Sequence, residues 1–245
     1  MSAPVFVLDR ARLLEERVVL DGAEGRHAAT VRRLSPGEQV VVTDGHGLRV
    51  DCTVVEARSD RLELVVDARI ETPEPQPRLV VVQALPKGDR GELAAATMTE
   101  VGVDMIVPWA ASRCVTRWSG QRGDKALTRW RTTVREAAKQ SRRSRFPEVT
   151  DLATTDTVAA LLASAAMPVV LHEEATEPLA VVEVPGAGDV VVVIGPEGGV
   201  SPDELDAFTG AGATACRLGP NVLRTSTAGP AALAVLLART PRWAT

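Results

Sequence analysis

The stretch DVVVVIGPEGGVSPDEL, residues 189–205, combines a strand, a turn and a helix start. Its valine run is β-branched and unbroken by polar residues, which favours a strand buried on both faces. Three glycines follow within five positions, and glycine lets a backbone approach another group closely because it has no Cβ. A capped helix start completes the stretch, with an N-cap, a first-turn proline and a capping-box glutamate at Ser201, Pro202 and Glu204. The pattern predicts an α/β domain.

The same alternation of apolar runs and helical patterns continues on both sides of this stretch. Further strands are predicted at residues 78–85, 105–110, 167–174 and 214–219. Helices are predicted at residues 91–102, 124–143, 157–166 and 231–239. Apolar strands that alternate with helices form a parallel sheet covered on both faces.

The N-terminal third has a different pattern. Short β-branched runs separated by turn residues predict a small β-barrel or sandwich, with strands near residues 38–44, 48–57 and 61–70. The segment ETPEPQP, residues 71–77, contains three prolines and cannot continue a helix or a central strand. We therefore expect two domains, at residues 1–72 and 73–245.

Composition excludes several classes of protein. The three cysteines, Cys52, Cys114 and Cys216, are far apart and form no CxxC pair, so we expect buried thiols and no metal site. The first twenty residues lack the basic and apolar regions of a signal peptide, and the sequence has no apolar run long enough to span a bilayer. A cytoplasmic protein without a membrane partner is expected.

The charge is distributed unevenly. The formal net charge is -4, yet residues 113–145 contain eleven basic and two acidic side chains. A basic segment in an acidic chain indicates a surface for nucleic acid, although such a segment can also be a solvated helix face.

The glycine turn matches neither of the common phosphate-binding loops. It lacks the lysine of a P-loop, and it comes too late in its domain for a dinucleotide fingerprint, which disfavours a nicotinamide-dependent oxidoreductase. Its central Glu197 would repel a pyrophosphate but suits a ligand with positive charge. Two other predicted strands end in LHEE, residues 171–174, and RLGPNVLRT, residues 217–225. Because ligands gather at the carboxyl ends of parallel strands, the three segments are predicted to form one pocket.

These motifs carry a resemblance to a known family. The segments at residues 194–205 and 217–228, with 171–174 upstream, resemble those of the ribosomal RNA uridine N3-methyltransferases of the SPOUT superfamily. The resemblance extends to residues 25–40, 84–108 and 130–149, and so to nearly the whole chain. It implies a SPOUT-type parallel sheet with a C-terminal trefoil knot, a small N-terminal PUA-like β-barrel, and a homodimer.

The resemblance also implies S-adenosyl-L-methionine as cofactor. The residues that it assigns to cofactor binding are Leu171, His172, Glu173, Ile194, Gly195, Pro196, Glu197, Gly198, Gly199, Leu218, Gly219, Asn221, Val222, Leu223, Arg224 and Thr225. In that family a lysine, an arginine and a glutamate often stand where this chain has Thr97, Asn221 and Ser226. These differences bear on the placement of the substrate rather than on cofactor binding.

The implied reaction is methylation of N3 of a uridine in the decoding region of 16S ribosomal RNA, on the 30S ribosomal subunit. Arg224 is predicted to stabilise negative charge on the uridine oxygens, because its guanidinium is permanently charged. Glu197 and His172 compete as the base for the N3 proton, and packing of the His172 ring against adenine is the favoured alternative for that residue. Orientation of the reactants can also supply most of the catalysis.

RNA contacts are predicted on both domains. The candidate residues are His27, Arg32, Arg33, Lys87, Arg90, Arg113, Arg142, Arg143 and Arg145. Three tryptophans are interpreted as core or dimer packing rather than as stacking platforms for bases, namely Trp109, Trp118 and Trp130. Two alternatives stay open: a non-catalytic RNA-binding factor of ribosome assembly, and a methyltransferase of this superfamily that acts on another RNA position.

Overall fold

The chain forms two units, each with its own sheet and core. The computed structural model describes residues 3–244. Contacts between Cα atoms assign the chain up to Glu74, together with Ala138–Phe146, to the first unit, and Pro75–Ala137 and the chain from Pro147 onward to the second.

The first unit contains a five-stranded sheet in the order β1-β3-β4-β5-β2. The strands are β1 Val5–Val7, β2 Arg17–Leu20, β3 Gln39–Thr43, β4 Leu48–Arg58 and β5 Arg61–Glu71. Two short helices, α1 Arg10–Leu13 and α2 Gly22–Arg26, lie between β1 and β3, and α2 continues into a π-helical turn at His27–Val31. The predicted strands are confirmed as β3, β4 and β5, an antiparallel meander whose inward residues form one apolar core.

The segment Ala138–Phe146 returns to the first unit and is fixed there by polar contacts. The Lys139 ammonium donates to the Glu24 carboxylate at 3.0 Å, and both side chains are largely buried. The amide of Phe146 donates to the Gly45 carbonyl at 2.8 Å. Arg145 Nε donates to the Thr72 carbonyl at 2.8 Å. The first unit is therefore built from two separate parts of the sequence.

The second unit contains a seven-stranded sheet, parallel throughout, in the order β10-β12-β9-β11-β6-β7-β8. Its strands are β6 Arg78–Ala84, β7 Met105–Trp109, β8 Glu148–Val149, β9 Met167–Leu171, β10 Glu177–Pro178, β11 Asp189–Ile194 and β12 Thr214–Arg217. Its helices are α3 Arg90–Val101, α4 Gly120–Gln140, α5 Thr155–Ser164, α6 Pro202–Gly210 and α7 Thr225–Leu237. The predicted parallel sheet is confirmed, and β8 and β10 were not predicted because each has two residues.

Both faces of this sheet are buried. Alternate residues of β6 enter different cores: Leu79 and Val81 pack with α3, α4 and α7, whereas Val80 and Val82 pack with α5 and α6. Continuous valine runs are needed for this arrangement, because a strand with a polar face could not be covered on both sides.

The cysteines and two of the tryptophans are buried, as predicted. Burial raises the pKa of the Cys52 thiol to about 12, and the charges of Asp67 and Asp51 act in the same direction. Trp109 and Trp130 are buried, and Trp118 packs edge-on against Trp130 with 5.2 Å between ring centroids. Among residues 3–244, no group of side chains could hold a metal ion, and every helix is too short or too polar to cross a membrane.

Candidate active site

A cavity of about 330 Å³ opens at the carboxyl ends of β9, β11 and β12, three adjacent strands. Its size falls in the range of small-molecule sites, and its position is the one where parallel sheets bind ligands. The wall is formed by the segments that leave the three strands, namely Leu171–Glu173, Ile194–Glu197 with Gly199 and Val200, and Arg217–Thr225, together with Ala228 of α7.

Fifteen of the sixteen predicted cofactor residues line this single cavity, and Gly198 does not. A Cβ built on Gly198 would lie 3.1 Å from the Cβ of Arg113, so this glycine faces the loop after β7. Spacing could not reveal which glycine faces which side. Four lining residues are not among the sixteen: Val200, Arg217 and Pro220, which adjoin predicted residues in sequence, and Ala228, which lies in the first turn of α7.

Glycine is required at two positions of the turn after β11. A Cβ on Gly195 would lie 2.9 Å from the Val200 Cγ2 atom, so either the turn or the buried Val200 side chain would have to shift. Gly199 has a φ of 75°, in the left-handed region that glycine favours. Its amide donates to the Pro196 carbonyl at 2.9 Å and closes the turn. The backbone beside the cavity is therefore compact and closed by its own hydrogen bond.

The predicted capping box at the start of α6 is present, and it also binds a second loop. Glu204 accepts from the amide and hydroxyl of Ser201, each at 2.9 Å, and from the Ser112 amide at 2.7 Å. Burial alone would raise the pKa of Glu204, but these hydrogen bonds from Ser112 and Ser201 outweigh it and lower the pKa. The ionised carboxylate thus fixes the glycine turn to the loop after β7.

Glu197 and His172 each have a hydrogen bond that bears on the predicted role of base. The Glu197 carboxylate accepts from the Lys87 amide at 3.1 Å, which joins the glycine turn to the loop after β6. The His172 Nδ1 atom accepts from the Glu174 amide at 3.3 Å. In a neutral ring that arrangement places the proton on Nε2, because an amide can only donate.

The segment between β12 and α7 carries Arg224 at its end. Arg224 is the N-cap of α7, and its carbonyl accepts from the amides of Thr227 and Ala228 at 2.9 and 3.0 Å. Within residues 3–244 its guanidinium makes no hydrogen bond or ion pair. The preceding Val222 and Leu223 are exposed, by 81% and 41%. The cavity therefore has an uncommitted cation on one wall and the carboxylates of Glu173 and Glu197 on the others.

Several side chains of the basic segment, residues 113–145, are held by other parts of the fold. Arg129 and Arg131 form ion pairs with Glu92 and Asp151 at 3.1 and 2.9 Å. Arg113 donates to the Gly198 carbonyl. The acidic partners, Glu92 and Asp151, lie outside residues 113–145. A count of charges within that segment therefore overstates the positive charge that is available to RNA. Arg32 and Arg33 are exposed, whereas His27 is half-buried with its ring edge-on to Phe6.

The remaining positions singled out in the sequence lie on both units. Lys87 and Arg142 are exposed, and Arg90 and Arg143 are half-buried. Thr97 lies on α3 with its hydroxyl bonded to the Leu93 carbonyl at 2.8 Å, outside the cavity lining.

Comparison with known proteins defines the class to which this fold and cavity belong. A family model described as the RNA methyltransferase domain matches residues 72–237, and one described as the RNA methyltransferase PUA domain matches residues 20–67. The chain is similar to ribosomal RNA small subunit methyltransferase E of Mycobacterium tuberculosis, with 48% identity over 99% of this chain and 94% of the relative. The Bacillus subtilis protein of that name is 28% identical, over 89% and 88% of the two chains.

A solved structure extends the comparison. The crystal structure of a ribosomal RNA small subunit methyltransferase E from Neisseria gonorrhoeae bound to S-adenosyl methionine superposes with a TM-score of 0.84 and 26% identity, over 98% of each chain. The chain belongs to the family of ribosomal RNA small subunit methyltransferase E.

Proposed function

We propose that the chain transfers a methyl group from S-adenosylmethionine to N3 of one uridine of 16S ribosomal RNA, on the small ribosomal subunit. The observation that carries this proposal is the single cavity at three strand ends, lined by nearly all the residues that the family resemblance assigns to the cofactor. The cofactor-bound relative of the same fold supports the choice of ligand.

The cavity suits S-adenosylmethionine in shape and charge. Glycine backbone at positions 195 and 199 allows close contact with a flat group, and the apolar side chains of Leu171, Ile194 and Leu218 suit adenine. Among the charged lining residues, the carboxylates of Glu173 and Glu197 suit the sulfonium and the ammonium, while Arg217 and Arg224 place positive charge on the segment between β12 and α7. When bound, the cofactor supplies a methyl group that is activated by the positive sulfur.

The protein must then manage the proton on N3 of uridine, because the nitrogen lone pair is delocalised until that proton leaves. We assign to Arg224 the stabilisation of the negative charge that develops on the uridine oxygens. Arg224 lines the cavity, and its guanidinium has no partner in the described part of the chain, so it is available to a substrate. The Glu197 carboxylate remains the candidate base, because the Lys87 amide binds only its Oε1 atom and leaves Oε2 for a proton, whereas a neutral His172 ring accepts at Nδ1 and carries its proton on Nε2.

Several wider features belong to the same proposal. Residues 1–72 would serve as the RNA-binding domain, through the exposed Arg32 and Arg33, and residues 73–245 as the methyltransferase domain. A C-terminal trefoil knot is proposed because the family resemblance implies one in the region of the cavity-lining segment and α7, the helix that packs on α3, β6 and β11. A crystallographic trace through residues 217–237 tests the knot.

A homodimer in the cytoplasm is also proposed. Light scattering of the purified protein measures its mass and so tests the homodimer.

The function is tested by mass spectrometry of 16S rRNA from cells that lack this protein. We expect loss of one 3-methyluridine and its return when the gene is restored, but not when the Arg224→Ala variant is supplied. Loss of a methyl group at a different position would identify another target. An unchanged methylation profile, together with no binding of S-adenosylmethionine in calorimetry, would favour a non-catalytic assembly factor.

A further inference from the structure

We propose that Arg113 is a positioning residue for the cofactor turn and does not act as an RNA contact. The proposal rests on the proposed function, because it assigns a role toward S-adenosylmethionine. Arg113 lies in the basic segment that sequence reasoning assigned to RNA, but its Nη1 atom donates to the Gly198 carbonyl at 3.1 Å. The same nitrogen lies 3.5 Å from the Val200 carbonyl.

The contact continues along the side chain. The Gly198 Cα carries no Cβ, and one built there would lie 3.1 Å from the Arg113 Cβ and 3.4 Å from its carbonyl oxygen. Arg113 thus covers the side of the turn that faces away from the cavity, while Gly195, Glu197 and Gly199 line the cavity. The glycine turn therefore lies between Arg113 and the cavity.

Arg113 is itself held in place by its neighbours. The Ser112 amide donates to the buried Glu204 carboxylate at 2.7 Å, and Cys114 is buried, so the residues on both sides of Arg113 are fixed. The backbone that carries the Arg113 side chain therefore needs no further ordering when the guanidinium binds the carbonyl, which favours a positioning role. The bond to the Gly198 carbonyl directs the Nη1 atom of Arg113 at the turn.

The hydrogen bond fixes one peptide plane of the turn. The carbonyl of the 198–199 peptide accepts from Arg113, and its amide donates to Pro196. Within residues 3–244, the neighbouring amides of Glu197 and Gly198 have no partner in the protein. Fixing the 198–199 plane restrains the peptides just before it, so the amide of Glu197, a residue that lines the cavity, keeps a constant orientation, which is the preorganisation that a bound cofactor requires.

The test compares Arg113→Gln with Arg117→Gln. Both variants lose one positive charge from the same loop, but Arg117 donates to the Ser112 carbonyl and has no contact with the turn. We expect Arg113→Gln to raise the Kd for S-adenosylmethionine by about fivefold or more in calorimetry, since a charged hydrogen bond is lost. Arg117→Gln should leave that Kd unchanged. Arg113→Lys should recover part of the affinity because it keeps a charged donor.

Binding to purified 16S rRNA at two salt concentrations completes the experiment. The positioning role predicts that Arg113→Gln has the same RNA affinity and salt dependence as Arg117→Gln. A lower RNA affinity with an unchanged cofactor Kd would overturn the proposal in favour of a phosphate contact. An equal loss of cofactor affinity in both glutamine variants would also overturn it. If the unmodified protein fails to bind S-adenosylmethionine, the proposed function fails instead, and thermal unfolding identifies any variant that does not fold.

Discussion

Two charged residues near the cavity, Glu204 and Arg224, have opposite environments. Glu204 is buried with three donors around its carboxylate, whereas Arg224 is exposed and uncommitted within residues 3–244. A buried group with all its hydrogen bonds made contributes to stability, and an exposed cation beside a pocket is available to a ligand. The two residues are therefore expected to affect different measurements.

Replacing Glu204 by Gln should lower the free energy of unfolding by about 2 kcal/mol at pH 7, because an amide cannot accept all three hydrogen bonds. The pKa of Glu204 is lowered in the folded state, so its contribution is present above the unfolded pKa and is lost as pH falls through the folded value. The difference between the two proteins should therefore shrink as the pH falls below about 4.

Urea denaturation at several pH values measures this effect. Asp203→Asn is the matched control, since Asp203 is exposed in the same helical turn and makes no contact with Ser112. A pH-independent difference between Glu204→Gln and the unmodified protein would contradict the prediction.

Replacing Arg224 by Ala should reduce turnover at least tenfold, or about 1.4 kcal/mol of barrier, while the Kd for S-adenosylmethionine stays near normal. The reason is that the guanidinium is assigned to charge on the RNA base and not to the cofactor. Single-turnover methylation of 30S subunits measures the rate of methyl transfer, and Arg224→Lys is the charge-preserving comparison. Normal turnover in the alanine variant would remove Arg224 from the mechanism.

Sequence reasoning at this scale found the cavity wall but not the direction of each side chain. Residue types and strand ends were sufficient to bring Leu171, Gly195 and Arg224 together. The environments of Gly198 and Arg113 depend on a contact between loops that are 85 residues apart in sequence. Local sequence patterns cannot predict such a contact.

At the scale of elements, the strand, turn and helix around residues 189–210 act as one rigid unit. β11 is buried between β9 and β6, and the capping box fixes the start of α6. The turn between them has little room to adjust because Val200 is itself buried in the core. Any side chain added inside the turn is therefore expected to disturb the cavity.

Gly195→Ala tests this rigidity. The added Cβ would lie 2.9 Å from the Val200 Cγ2 atom and 3.3 Å from its amide nitrogen, so the turn must move. We expect the Kd for S-adenosylmethionine to rise about tenfold and the free energy of unfolding to fall by about 1–3 kcal/mol. Gly210→Ala, at the end of α6 with nothing within 4 Å of its Cβ, should leave the Kd unchanged and should not lower the free energy of unfolding. Unchanged cofactor affinity in Gly195→Ala would contradict the rigid turn.

Most elements could be predicted because their periodicity was strong. Apolar runs identified β6, β7, β9, β11 and β12, and the helical patterns identified α3 to α7. α4 begins at Gly120, four residues before its predicted start, since the apolar pattern is weak in its first turn. β8 and β10 pair through two residues each, which is too short for a hydrophobic pattern to form.

At the scale of the whole molecule, the C-terminal residues are held against the sheet of the second unit. The Arg242 guanidinium donates to both carboxylate oxygens of Asp104, at 2.6 and 3.1 Å, and to the carbonyls of Pro77 and Gly102. Both charged side chains are mostly buried. The same carboxylate accepts from the Leu79 amide, so the end of the chain is joined to the start of β6.

Arg242→Met should therefore lower the free energy of unfolding by about 3 kcal/mol, because it leaves the Asp104 carboxylate without its cation. The double variant Arg242→Met with Asp104→Asn should lose less than the sum of the two single losses. Thermal and urea unfolding measure the cycle. Additive losses would show that the two groups do not act together.

The boundary between units was only partly visible in the sequence. The prolines after Glu71 indicated where the first long segment ends, but residues 138–146 continue a basic helix without any change of composition. Their assignment to the first unit depends on Lys139, Arg145 and Phe146 and on partners that lie more than 70 residues away in sequence.

This return of the chain limits how the protein can be rearranged by recombination. An exchange of gene segments at one crossover near residue 74 would transfer the N-terminal part of the first unit without its nine-residue segment Ala138–Phe146, which carries the buried ammonium that contacts Glu24. Transferring the first unit intact requires two further crossovers around that segment or a compensating change at Glu24. Recombination between homologous genes is thus constrained by the segment Ala138–Phe146, which belongs to the first unit but is encoded within the sequence of the second.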